Sequence, residues 1–243
     1  MGAILTIQLS AFSNKKVLPN AENIAVLMPK LKELSGIEFL PNVVNSQKID
    51  IKTGTIENVS DLSFSTMDNS GQVICTENRI DCVFNFDIDH QEGIEDKFNI
   101  ASEIIQFIMK KAKVFANRLA LNVTCLSNIC NGNSVFEKQV MYVGPFYKNK
   151  TIKEWSSRTN ARGMMSINGI EESLNIITEY TYATEQTTKE TRIICHTDIN
   201  TIPENKDFRF ESDSIAIFKK QARSIFLEIQ DDLEGLIPVS YTH

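Results

Sequence analysis

The stretch that decides the fold occurs twice in outline, as NRIDCVFNFDIDHQEGIEDKF over residues 78–98 and as TRIICHTDINTIPENKDFRF over residues 191–210. Each carries Arg-Ile, a cysteine, an Asp-Ile-Asp or Asp-Ile-Asn triplet, a polar loop, and a phenylalanine that opens a helical pattern. The first part of each alternates apolar with polar residues, as a strand with one buried face does. From Phe98 the period lengthens to about 3.6, so that Ile100, Ile104, Phe107, Ile108, Lys111, Ala112 and Phe115 fall along one helical face. After the second copy the same spacing runs through Ile215, Phe218, Ala222, Ile225, Ile229 and Leu233. Aligning Arg79-Ile80-x-Cys82 with Arg192-Ile193-x-Cys195, and Asp87-Ile88-Asp89 with Asp198-Ile199-Asn200, needs a two-residue gap and sets Phe98 near Phe208. The pattern reads as an internal duplication in which each half supplies antiparallel strands and a long helix packed across them.

Outward from these units the chain keeps the same character. Residues 3–12 read as a strand, and NAENIAVLMPKLKELSG as a helix with an Asn20 cap, a Gly36 stop and a kink or late start at Pro29. IEFLPNVV returns as a strand, and QKIDIKTGTIE, SDLSFSTMD and GQVICTE continue as a meander. NRLALNVTCL and two segments near 173–183 and 190–200 complete the strands. The expected fold is therefore α+β, with mainly antiparallel sheets and long helices packed on one face. It divides into related strand–helix halves, residues 1–130 and 131–243, compatible with one continuous domain.

The 243 residues are 42% hydrophobic and 23% charged, ordinary values for a globular chain, and the net charge of -6 confines any polyanion binding to a local patch. No apolar run approaches the roughly 20 residues that span a bilayer. Five cysteines without a framework spacing suggest reduced thiols and a cytoplasmic location.

Three sets of residues carry candidate chemistry. His196 and Asp198 share one face of their strand, and the duplication would make Asp87 equivalent to Asp198. A cluster of Asp87, Asp198 and His196 could hold Mg²⁺ or Mn²⁺ for phosphodiester hydrolysis; the competing reading is a polar sheet face with loop-capping aspartates. GPFYKNKTIKEWSSRTNARG carries Lys148, Lys150, Lys153, Arg158 and Arg162 around Trp155 against a single acid, Glu154. That composition suits a nucleotide or single-stranded nucleic acid, with cations on phosphates and the ring stacked on a base. Equally, Thr151-x-x-Glu154 could cap a short helix with Trp155 packed inward. Cys75, Cys82, Cys125 and Cys130 lack the paired spacing of a zinc site, and no G-x-G-x-x-G, Walker or G-x-S-x-G pattern occurs.

The order of parts, with GQVICTENRIDCVFNFD, the Arg118-Leu-Ala-Leu-Asn122 strand, a variable middle, a strand ending TDIN and a last helix around Phe226, resembles a sporadically distributed bacterial family of uncharacterised proteins of similar length. In that family the strand typically reads R-L-G-L-R-Y-I-N; here Ala120 and Asn122 replace the glycine and second arginine, and Gln221 stands near a common histidine. The resemblance implies a bacterial accessory or defence-associated role and supplies no catalytic residue. The leading expectation is a non-enzymatic interaction module, without cofactor or membrane, that recognises a protein partner, a second copy or a nucleotide-like ligand. The alternatives are the metal-dependent phosphodiesterase and a nucleic-acid binder using the 148–162 segment.

Overall fold

The computed structural model describes residues 2–49, 51–130, 150, 154–184 and 189–236. Among them nine strands form one antiparallel sheet: β1 (Ala3–Ser13), β2 (Leu40–Ile49), β3 (Ile56–Ser65), β4 (Gly71–Cys75), β5 (Ile80–Asn85), β6 (Ala116–Leu126), β7 (Ser156–Ile167), β8 (Ile170–Thr184) and β9 (Thr191–Thr201). The strand order is β2-β3-β4-β5-β1-β6-β9-β8-β7. The described residues also form the helices α1 (Ala21–Ser35), α2 (Ile94–Ala112) and α3 (Ser214–Leu236). The protein is thus α+β with an antiparallel sheet.

The central rows show why the alternating segments pair as they do. Leu9 of β1 lies opposite Cys82 of β5 and Leu121 of β6, and Leu121 lies opposite Ile199 of β9. All four are buried, so a one-residue slip in any strand would move an apolar row to the other face of the sheet. α2 packs against β1 and β5, and α3 against β6, β7 and β9. The helices meet at Phe98 and Phe226, whose ring centroids are 6.5 Å apart.

Local chemistry sets the helix ends. Asn20 accepts a 2.9 Å hydrogen bond from the Asn23 N–H, and Gly36 closes α1 in the left-handed region at φ 71°. α1 nevertheless runs unbroken across Pro29 instead of starting late. α2 ends where Lys113 turns left-handed, so Phe115 leaves the helical stripe and is 41% exposed. The buried face of α2 passes instead through Phe98, Ala101, Ile105 and Ile108, with Ile104 and Met109 beside it.

Three expectations change. QKIDIKTGTIE is not a strand of its own: it ends β2, turns at residues 51–53 and opens β3. β7 is absent from the sequence reading because SSRTNARGMMSI has no apolar alternation; an outer strand exposed along most of its length has no need of it. Phe208 does not open the last helix. The connection after β9 first turns back across the start of β6, where Phe210 exchanges backbone hydrogen bonds with Ala116, both 2.9 Å, and α3 begins only at Ser214. Arg209 clamps that connection: its Nε and Nη2 each donate to a Glu172 carboxylate oxygen at 2.6 Å, and Nη1 donates to the Asn117 carbonyl at 2.7 Å.

Candidate functional site

The structure separates the three residues of the metal hypothesis. β5 stops at Asn85, so Asp87 lies in an exposed loop and not on a strand face. Its carbonyl accepts from the His90 N–H and the Gln91 side chain. Asp198 lies within β9, opposite Asn122 of β6, and accepts from Asn200 Nδ2 at 2.8 Å. Asn122 is in turn level with Gln8, and Gln8 with Val83 of β5. Asp87 is thus four residues past the row of Asp198 and three strand spacings away, roughly 14 Å across the sheet alone. His196 shares the face of Asp198, as the alternation requires, but its Nδ1 is 3.1 Å from Thr124 Oγ1. Among the described residues no group of three His, Cys, Asp or Glu side chains stands close enough to hold a metal ion. The alignment failed here because an Asp-Ile-Asp string can match a strand interior and a loop alike.

The basic segment is likewise divided. Lys148 and Lys153 lie outside the described residues, as does most of the expected capping box. Lys150 is exposed. Trp155 is buried in the core, its ring stacked on Tyr182 with centroids 6.4 Å apart and planes 17° off parallel, so its face is not presented to a base. Arg158 and Arg162 fall on β7, four residues apart and hence on one face. Arg158 stands opposite Glu179 of β8, and Arg162 is ion-paired with Glu204 at 2.9 Å.

Nucleophilic chemistry finds no support in the thiols, all five of which are buried and free. Burial, reinforced by Asp81 and Asp61, pushes the Cys75 thiol up to about 12. Burial also raises Cys82. Cys125 and Cys195 face each other across β6 and β9; their shared hydrogen bond holds Cys125 up, with burial adding to it. The same bond favours charge on Cys195, and burial opposes it. The buried carboxylate of Asp81 accepts at Oδ1 from Ser10 Oγ at 2.6 Å and Gln8 Nε2 at 3.2 Å, and its Oδ2 is ion-paired with Arg79 at 2.7 Å without a hydrogen bond.

A cavity of about 570 Å³ lies between the start of β1, the start of α2 and the middle of α3. Ile4, Ile88, Ile94, Phe98, Phe226 and Leu227 make it largely apolar. Among its described lining residues the only carboxylate, Glu95, is ion-paired with Arg223, and there is no Ser, Cys, His or Lys. Its described lining has the composition of packing or binding space.

Strand β2 is the feature most open to a partner. Every residue from Leu40 to Ile49 is exposed, and β3 is the only strand paired with it among the described residues. Residues 40–47, LPNVVNSQ, carry no charge, and Lys48 is already ion-paired with Glu77. The opposite edge, β7, carries Arg158 and Arg162. That neutral run was legible in the sequence, but its position at the edge was not.

No family model matches the chain, and no curated protein matches it. No helix among the described residues is long and apolar enough to cross a membrane.

Proposed function

We propose that the protein is a non-enzymatic interaction module that works by strand addition at the β2 edge, and that the strand it accepts is β2 of a second copy. The observation that carries this is the exposed ten-residue outer strand, uncharged from Leu40 to Gln47, with one row of backbone donors and acceptors facing away from β3. Natural sheets blunt such edges with charges, bulges or very short strands, and β2 carries only Pro41 near one end and Lys48 near the other. An antiparallel two-fold pairing centred on Val44 sets Val44 against its own copy, Asn42 against Ser46 and Leu40 against Lys48. It opposes no like charges, and it covers valines that are 38% and 46% exposed at positions 43 and 44.

The rest of the molecule serves as the rigid support. From the junction of β1 and β6, the order runs β1, β5, β4, β3, β2 on one side and β6, β9, β8, β7 on the other, and α2 and α3 follow β5 and β9. This supports a duplicated unit whose long helices cover the same face of the sheet. The halves then meet at the 113–115 link, ahead of residue 131, because β6 is the counterpart of β1.

Light scattering coupled to size exclusion tests the proposal. The expected mass is twice the 27.5 kDa chain, and Val44→Lys, which opposes two ammonium groups in the pairing, returns it to one chain. A wild-type monomer up to the solubility limit overturns the second copy as partner. A dimer untouched by Val44→Lys overturns the β2 edge as the docking element.

A further inference from the structure

On the end of the sheet where β1 and β6 meet the connection after β9, a cavity of about 190 Å³ is lined by Phe12, Ser13, Asn78, Asn117, Arg118, Pro203, Asn205, Lys206 and Phe208. Its charge balance is unlike that of the chain as a whole. Two cations line it and no carboxylate does, in a protein of net charge -6. Of the neighbouring acids, Asp81 is held by Arg79 at 2.7 Å and Glu204 by Arg162 at 2.9 Å, and Asp207, next to Lys206, is not among the lining residues. Neither Arg118 nor Lys206 forms an ion pair among the described residues.

Arg118 is held in place by stacking and not by salt bridging. Its guanidinium carbon lies 4.7 Å from the centroid of the Phe12 ring, and that of Arg79 lies 5.8 Å from the same ring. Stacking satisfies the face of a guanidinium and leaves its N–H edge to find acceptors elsewhere. The Arg118 Nε is buried and meets no acceptor from the described residues. A buried donor without an acceptor is costly, and a bound anion would supply the missing acceptor. Around it the side chains of Asn78, Asn117 and Asn205 offer amide donors, the Asn205 oxygen being already bonded to the Asp207 N–H at 3.0 Å. Phe208, 46% exposed, supplies an apolar wall at the mouth.

We infer that this cavity is an anion site for a phosphomonoester, with the phosphate held by Arg118 and Lys206 and the organic body laid against Phe208. A planar fork and an ammonium around a tetrahedral oxyanion are the usual donors for that group, and amide N–H groups complete its shell. The space suits the phosphate and a short attachment. A longer body would extend past Phe208 into solvent. The site is independent of strand addition at β2, which lies at the far edge of the sheet.

The test is calorimetric titration of the full chain at low ionic strength with phenyl phosphate and, separately, inorganic phosphate. Saturable one-to-one binding is expected for both, tighter for phenyl phosphate. Arg118→Gln and Lys206→Gln should each weaken it at least ~10-fold, the loss of one charge-assisted hydrogen bond. Lys32→Gln, a distant surface change, should leave it unaltered. Lys206 is exposed, so its variant keeps the test valid even if Arg118→Gln, by disturbing Phe12, fails to fold. Absence of saturation, or binding that survives Lys206→Gln unchanged, overturns the assignment. Equal affinity for the two phosphates overturns the role given to Phe208.

Discussion

Arg209→Met is the substitution whose consequence follows most directly from the structure. The Arg209 and Glu172 side chains are 16% and 6% exposed, and the pair is bidentate, with both nitrogen–oxygen separations at 2.6 Å. Arg209 also donates to two backbone carbonyls, Asn117 at 2.7 Å and Asp207 at 3.0 Å, and lies over the Phe210 ring at 4.2 Å. Removing the cation leaves a buried carboxylate facing two lost donors, which typically costs ~3–5 kcal/mol. Glu172→Met strands the guanidinium instead and should cost a similar amount. The double variant leaves neither charge buried alone, so it should cost clearly less than the sum, with a coupling of roughly 2–3 kcal/mol. The assay is equilibrium unfolding in urea, followed by far-UV circular dichroism and by fluorescence of Trp155, the only tryptophan. Coincident transitions from the two probes are required before the free energies are compared. Single-variant costs below about 1 kcal/mol, or additivity within about 0.5 kcal/mol, would refute the reasoning, because an exposed or poorly aligned pair behaves that way.

Two further outcomes are expected. Asn20→Ala removes the acceptor for the Asn23 N–H and should lower stability by ~1 kcal/mol in the same urea assay; no change would mean that solvent replaces the cap at no cost. Asp68 accepts from Thr66 Oγ1 and from the Ser70 hydroxyl and N–H, which hold its carboxyl at about 2, below the usual 3.8. A depressed folded value contributes stability that is present above 3.8 and is lost as pH falls through about 2. Carboxyl NMR titration should find that low midpoint, and Thr66→Val should move it up; an unmoved midpoint would take Thr66 out of the account.

Much of the architecture was legible because it is written in local periodicity. The alternation in residues 80–85 and 191–200 and the three-and-four spacing from Phe98 and Ile215 each report one buried face of one element. The Asn20 cap and Gly36 stop report conditions met within a few residues. β7 was illegible for the same reason, since an edge strand exposed along most of its length needs no apolar period. Asp87 was misplaced because a residue string does not say where a strand ends. Trp155 was ambiguous because an aromatic among cations looks alike whether its ring packs on Tyr182 or faces solvent.

The sequence by itself determined the class of the fold, the long helices and the apolar faces of the central strands, because these follow from short-range alternation and capping. Only the tertiary structure decided the strand order, and with it everything that depends on distant neighbours. It set β1 beside β6, put the uncharged run of β2 at an edge, and kept Asp87 apart from Asp198 and His196. It also brought Phe12, Arg118 and Lys206 around one cavity. Pairing partners are chosen by the burial of whole faces against one another, a global minimum that no local stretch of sequence records.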